Sequence, residues 1–365
     1  MATLFALFAL GLGGVPVNAG SRMWETSINY AQVNAVDGAS MAFVSNETDA
    51  SKRWITMNPG PDRFDDHIWP DRTITYAYNS EEDEEAISLI FDDATKLWAA
   101  AGLPDDVFKY GKISRQECMD NRQECMLVSE EKVANSATSL ALSRGRLENL
   151  PIAPTMRLNL DEEIGHMNVR LNVAHEIGHA WGLHHEHQNP AYWKHTSEHP
   201  NLVEFDIEEQ FKCDNLKDFE RVMRRIEQDA MPARVADLKH QVCNNYYAAI
   251  KEGFVGAENW LPLRKSTTRY RMRAQEIDWT SIMIYPSDAG GIPDQAGGKR
   301  RNILLRKDDT VIPRSKGPNT RDVKAIMWLY DYRPRKRDGG LLWDAGLKMA
   351  ELFDKIRLNC PERPA

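Results

Sequence analysis

The chain is short of several things, and each shortage removes a class of explanation. It has only five cysteines in 365 residues, and none of them has the spacing of a zinc-thiolate site. That excludes a metal-stapled miniature fold. It has no excess of positive charge: 46 Lys and Arg against 54 Asp and Glu leave a net charge of −8. Electrostatics therefore gives no attraction to nucleic acid or to anionic membranes. The one dense basic run, Arg333-Pro334-Arg335-Lys336-Arg337, reads as a solvated junction. No segment is long and apolar enough to span a bilayer. There are no internal repeats and no low-complexity tracts, which excludes a solenoid or a fibrous chain. Hydrophobic residues at 42% and charged residues at 27% fit an ordinary folded chain, long enough for one large domain or two modest ones.

The first nineteen residues are apolar up to Leu12 and end in Val17-Asn18-Ala19, a small-x-small pattern. They read as a secretory signal cleaved after Ala19, although the stretch carries no Lys or Arg before its apolar core. A buried N-terminal strand or helix is the competing reading. Lys52-Arg53 closes a polar stretch and marks residues 20–53 as a propeptide cut by a dibasic-specific enzyme; an ordinary basic pair in a loop competes with it. The cysteines suit export. Cys118 is expected to pair with Cys125 and Cys213 with Cys243, leaving Cys360 unpaired or intermolecular. Asn46-Glu47-Thr48 is a glycosylation sequon that matters only if the chain is secreted.

Residues 54–335 read as the working domain, of α+β type. Thr73–Tyr78 alternates like a strand. Ser80 then N-caps a helix whose Ile87, Ile90, Phe91, Ala94 and Trp98 recur at helical spacing. Further strands are expected near 108–113, 126–129, 138–142 and 155–160. A helix is expected over 168–181, with Val169, Leu171, Val173 and Ile177 facing the core. Beyond it, helical patterns occupy 218–228, 235–251 and 322–330, with no convincing sheet between 200 and 275. Residues 336–365 form a C-terminal extension with one more helical pattern.

What the chain does have is histidine, concentrated in one place. Seven of its ten histidines lie between His175 and His199, and the run from His175 to His185 reads H-E-x-x-H-x-x-G-x-x-H. Residues four apart share a helix face, so His175 and His179 can offer nitrogens to one ion. Gly182 allows the left-handed turn that ends the helix and brings His185 back as the third ligand. Three neutral nitrogens with an open position make a catalytic rather than a structural zinc site. Glu176, one step round the helix, is placed to act as general base on the zinc-activated water. His184 and His187 flank the third ligand, but register favours His185.

This extended motif resembles that of the metzincin zinc peptidases, and Glu186 directly after the third histidine is most similar to the astacin subgroup. Ser281-Ile282-Met283-Ile284-Tyr285 resembles the same subgroup's Met-turn. The resemblance implies that Met283 floors the metal site and that Tyr285 is a weak ligand that swings to stabilise the transition state. It implies a metzincin-type zincin fold: an N-terminal lobe with a twisted mixed sheet and two long helices, a mostly helical or irregular C-terminal lobe, and the zinc cleft between them. The expected activity is that of a secreted zinc metalloendopeptidase, monomeric, taking a protein or peptide substrate along an edge strand near 137–143.

The chain also departs from the family pattern. Asn189–Trp193 stands where an Arg- and Asp-rich run is usual, and Ile284 stands where histidine is common. From His185 to Met283 is 98 positions, which implies an insertion at about 196–275. No cysteine precedes Cys118, so a thiolate cannot silence the zinc from the propeptide; a carboxylate such as Asp49 could. Three readings compete with the leading one. The chain is a metzincin group of its own, a catalytically dead metzincin fold used for binding, or a thermolysin-type hydrolase with Glu198 or Glu204 as third ligand.

Overall fold

The computed structural model describes residues 55–57, 68–131, 137–138, 145–147, 150–263, 270–272, 276–294 and 299–332. The signal segment, the propeptide, Asp49, the sequon at Asn46, His67, the 336–365 extension and Cys360 all lie outside them, as does most of the expected edge strand.

In chain order the elements begin with β1 (Ile55–Met57), β2 (Thr73–Tyr78), α1 (Glu81–Ala100), β3 (Lys109–Lys112), α2 (Arg115–Asp120) and β4 (Met126–Glu130). Then come β5 (Ala137–Thr138), β6 (Gly145–Leu147), β7 (Leu150–Ile152), β8 (Thr155–Leu158) and α3 (Val169–Ala180). The second half holds α4 (Phe219–Asp229), α5 (Pro232–Asn244), α6 (Tyr246–Lys251), α7 (Val255–Trp260), β9 (Tyr270–Met272) and α8 (Thr320–Leu329). The central sheet has the order β3-β2-β4-β8-β5. Its first four strands are parallel, and β5 runs antiparallel to β8 at the edge. This is the mixed sheet expected of the N-terminal lobe, with α1 and α3 packed on one another beside it.

Local chemistry explains the two long helices. The Ser80 side chain accepts from Asp83 N, and four acidic residues in the first turn of α1 complement the helix dipole. Ile87, Phe91, Ala94 and Trp98 form its buried stripe. Asn168 caps α3 by accepting from Leu171 N. Of the four core contacts expected on α3, Val173 and Ile177 are buried, while Val169 and Leu171 pack at the margin of the core.

Three indoles pin α3 in place. Trp98 Nε1 donates to Ala174 O at 2.9 Å, Trp69 Nε1 donates to Ala180 O at 2.7 Å, and Trp181 Nε1 donates to Tyr110 OH at 2.9 Å. A buried indole N–H needs an acceptor, so each tryptophan fixes a distance as well as filling volume.

A second core gathers the later helices around Trp193, Phe205, Phe254 and Trp260. Cys118–Cys125 and Cys213–Cys243 are disulfides, the expected pairs. Two expectations need correction. The stretch 235–251 is two helices rather than one, because Asn245 is extended and its side chain caps α6 through Tyr247 N and Ala248 N. The stretch 200–275 does carry a strand, since β9 pairs antiparallel with β1. Helix α2, which carries Cys118, begins at a capping box of Ser114 and Glu117.

Candidate metal centre

The α3 helix carries His175, Glu176 and His179 in its last turns, all fully buried. The helix ends as the glycine predicts. Gly182 has φ of 99°, its N–H bonds to His179 O at 2.7 Å, and Leu183 N bonds to Gly178 O at 3.0 Å. This pair of reversed bonds closes the helix and turns the chain back on itself. His185 then lies beside the helix, with its Nε2 3.1 Å from His179 Nε2; His175 Nε2 is also 3.1 Å from His179 Nε2. The three rings form the one His/Cys/Asp/Glu cluster among the described residues able to hold a metal ion, with ligand atoms all within 4.8 Å of one another.

The donor set fits a zinc ion on electronic grounds. His175 Nδ1 is 2.7 Å from Ile282 O and His179 Nδ1 is 2.7 Å from Leu183 O. A backbone carbonyl can only accept, so both Nδ1 atoms carry the proton. His185 Nδ1 is 2.8 Å from Gln188 Oε1, whose own amide N–H groups are engaged elsewhere, so it too is the protonated nitrogen. Neutral rings with Nδ1 protonated present a lone pair at Nε2. Three lone pairs aimed at one point repel each other, and a cation there relieves the repulsion. Tetrahedral zinc with nitrogens at about 2.0–2.1 Å would space them about 3.3 Å apart, close to the observed separations.

The Ser281–Tyr285 turn packs against α3 and beside the histidines. Met283 packs so tightly against α3 that a Cβ on Gly178 would collide with its Sδ, and Met283 O accepts from Glu186 N at 2.9 Å. The Tyr285 ring lies 4.4 Å from His185 and 5.9 Å from His175 between ring centroids. It is also packed at 4.8 Å on His187 and 5.2 Å on Trp260. Residues 282 and 283 belong to the first hydrophobic core and 284 and 285 to the second, so the turn is where the two meet.

Helix α8 holds that turn. Asp322 accepts from Ser281 Oγ and from Ile282 N, while its capping-box partner Asn319 donates from its own N–H. Burial raises the Asp322 carboxyl to about 7, against the pull of these hydrogen bonds. Glu186 is likewise raised to about 7 by burial and by the charge of Asp278, although Asp278 N and Tyr192 OH donate to it. His184 is held well below the usual histidine range by burial and then by His179 and His185.

The other candidates fall elsewhere. Glu198 is exposed, and Glu204 lines a separate surface pocket of about 330 Å³ with Trp279, Arg306, Lys307 and Asp308. Neither joins the cluster required by a thermolysin-type site. His195, His199 and His240 are solvent-facing. Sequence reasoning passed over His166, Gln188 and Asp322. His166 Nε2 reaches Ile282 O at 3.3 Å, the carbonyl that His175 also uses. Gln188 is the third residue after His185, a spacing that could have flagged it. Asn319 and Asp322 have capping-box spacing, which says nothing of a turn 40 residues away.

The run from His175 to His185, with its three gathered imidazoles, fits the metzincin metal-binding motif. No family model and no curated protein matches the chain. Among solved structures it is similar to high choriolytic enzyme 1, a hatching-enzyme zinc protease from the medaka fish Oryzias latipes. The two share 16% identity at a TM-score of 0.40, over 73% of this chain and 95% of that one. It is also similar to two structures of myroilysin. One has 17% identity at a TM-score of 0.38, over 73% of this chain and 97% of that one. The other has 14% identity at a TM-score of 0.35, over 74% and 86%. These are distant likenesses, and the functional assignment rests on the site's own residues.

Proposed function

We propose that this chain is a zinc-dependent endopeptidase that hydrolyses protein or peptide substrates, most akin to the astacin subgroup on the strength of Glu186 and the Ser281–Tyr285 turn. The observation that carries this reading is the convergence of three Nε2 lone pairs whose tautomers are set by acceptors on the opposite nitrogens. His175, His179 and His185 would hold the ion. When bound, zinc supplies a Lewis acid that polarises the scissile carbonyl and acidifies water. Glu176, on the same helical turn as His175, takes the proton of the attacking water on its carboxylate and passes it to the leaving amine. The Tyr285 hydroxyl donates a hydrogen bond to the oxygen that becomes negative in the tetrahedral intermediate. Met283 keeps water from the underside of the imidazoles.

Export is part of the proposal. Two disulfides suit an oxidising compartment, and the apolar N-terminus supplies the address. Residues 1–19 are then the signal, 20–53 the propeptide, 54–335 the catalytic domain and 336–365 an extension.

Glu176→Gln separates an enzyme from a binding module built on the same fold. The variant keeps its zinc, while peptide hydrolysis falls by about 10²- to 10⁴-fold. Hydrolysis at the wild-type rate in that variant would sink the mechanism.

A further inference from the structure

His175 and His179 are held by the helix they sit on, whereas His185 has left it and depends on whatever grips it from outside. We infer that Gln188 is the positioning residue for this third metal ligand and that it joins His185 to helix α7, making the helical segment before β9 part of the metal site. This rests on the metal-site reading above.

Every polar group of Gln188, which is 4% exposed, has a partner. Its backbone N–H bonds to His185 O at 3.2 Å, and its backbone carbonyl accepts from Leu263 N at 2.9 Å. Its side-chain nitrogen donates to Glu258 O at 2.8 Å and to Leu261 O at 2.9 Å. That leaves Oε1 to face His185 Nδ1 at 2.8 Å. The amide has one workable orientation. Flipped, it would aim an NH₂ at a protonated ring nitrogen and an oxygen at two carbonyls, exchanging three attractions for three repulsions. The orientation of the amide therefore fixes the tautomer of His185, which in turn fixes Nε2 as the atom offered to the ion.

The other half of the coupling lies in α7. A helix end leaves its last carbonyls without intrahelical donors. Here Glu258 O is taken by Gln188, and Asn259 O is 2.9 Å from His187 Nε2. The side chains that finish α7 are thus those flanking the third ligand. At its other end α7 is tied to α4 through Gly256 N, which bonds to the buried carboxylate of Asp218 at 3.1 Å. The path runs from the second core through α7 and Gln188 to His185. Glu186, the residue after His185, is tied to the Ser281–Tyr285 turn by its N–H bonding to Met283 O at 2.9 Å.

The test measures zinc affinity by chelator competition and, separately, thermal unfolding of the metal-free protein, for wild type, Gln188→Met, Gln188→Glu and His185→Ala. Gln188→Met removes both the acceptor and the donors. It is expected to weaken zinc binding about 10- to 100-fold and to lower the metal-free melting temperature. Gln188→Glu keeps an acceptor for His185 Nδ1 and loses the donors to α7. It is expected to bind zinc within about threefold of wild type while its metal-free melting temperature stays low. A merely structural glutamine would lower both melting temperatures and leave zinc affinity at the wild-type value in both variants, which overturns the inference. It is equally overturned if the glutamate variant binds as weakly as His185→Ala. Should Gln188→Met not fold, the glutamate variant set against His185→Ala decides by itself: near wild type supports the inference, equal to His185→Ala overturns it. Wild-type zinc affinity in His185→Ala would bring down the metal site itself, an outcome distinct from the failure of Gln188 alone.

Discussion

Gly178 sits between the two histidines of α3 because nothing larger fits. A Cβ there would run into Met283 Sδ and stand 3.2 Å from Trp98 Cζ2. Trp98 is rigid and fully buried, and the Met283 thioether, though flexible, would have to swing out of its buried position. Gly178→Ala is expected to destabilise the fold by about 1–3 kcal/mol through overpacking, even though alanine is the better helix former. Thermal unfolding of the single variants and of Gly178→Ala with Met283→Ala checks this. The double variant should lose less than the sum of the singles, because removing the methionine side chain removes the collision. Strict additivity would mean that the two residues are not in contact.

The elements that could be read in advance were those whose pattern is local. Helix α1 advertises its cap, its acidic first turn and its apolar stripe within 20 residues, and α3 is bounded by Asn168 and the glycine turn. Strands β1 and β9 are three residues each, and each finds its partner more than 200 positions away, so no periodicity could reveal them. Helix α7 hid for a related reason: six residues that are nearly all buried show no amphipathic contrast. The cluster of His175, His179 and His185 was legible because helix spacing and one glycine dictate it. Gln188 and Asp322 were not, because what they do depends on α7 and on the Ser281–Tyr285 turn. Each disulfide ties a different lobe, and their loop lengths set an order. Cys213–Cys243 closes 30 residues and Cys118–Cys125 closes 7. Removing the first as a Ser pair should cost about 3–4 kcal/mol and removing the second about 2 kcal/mol. Urea unfolding of the two double variants measures both, and the reverse order would mean that native packing rather than loop closure dominates.

Among the described residues the two large hydrophobic cores meet at the Ser281–Tyr285 turn, and buried carboxyls at that junction make stability depend on pH. Asp322 titrates near 7 in the fold and near 3.9 once unfolded. Between those values the folded chain keeps a proton that the unfolded chain has lost. Stability from this group is therefore fully present below about pH 4 and is lost as pH rises through about 7. Glu186 adds a slope of the same sign. His184, held low, opposes them below about pH 6.5, so the reading is a comparison: between pH 5 and pH 8 the urea midpoint of the metal-free wild type should fall relative to that of Asp322→Asn. An unchanged slope would remove Asp322 from the account. Metal-free protein is needed because zinc binding is itself linked to protons.

All of this converges on one ion held by three imidazoles. X-ray absorption at the zinc edge, on protein loaded with one equivalent of zinc, reads that arrangement directly. The expected shell is three histidine nitrogens at about 2.0–2.1 Å, a light-atom donor in an open position and no sulfur. Failure to retain the ion, or a shell containing thiolate sulfur, would contradict it.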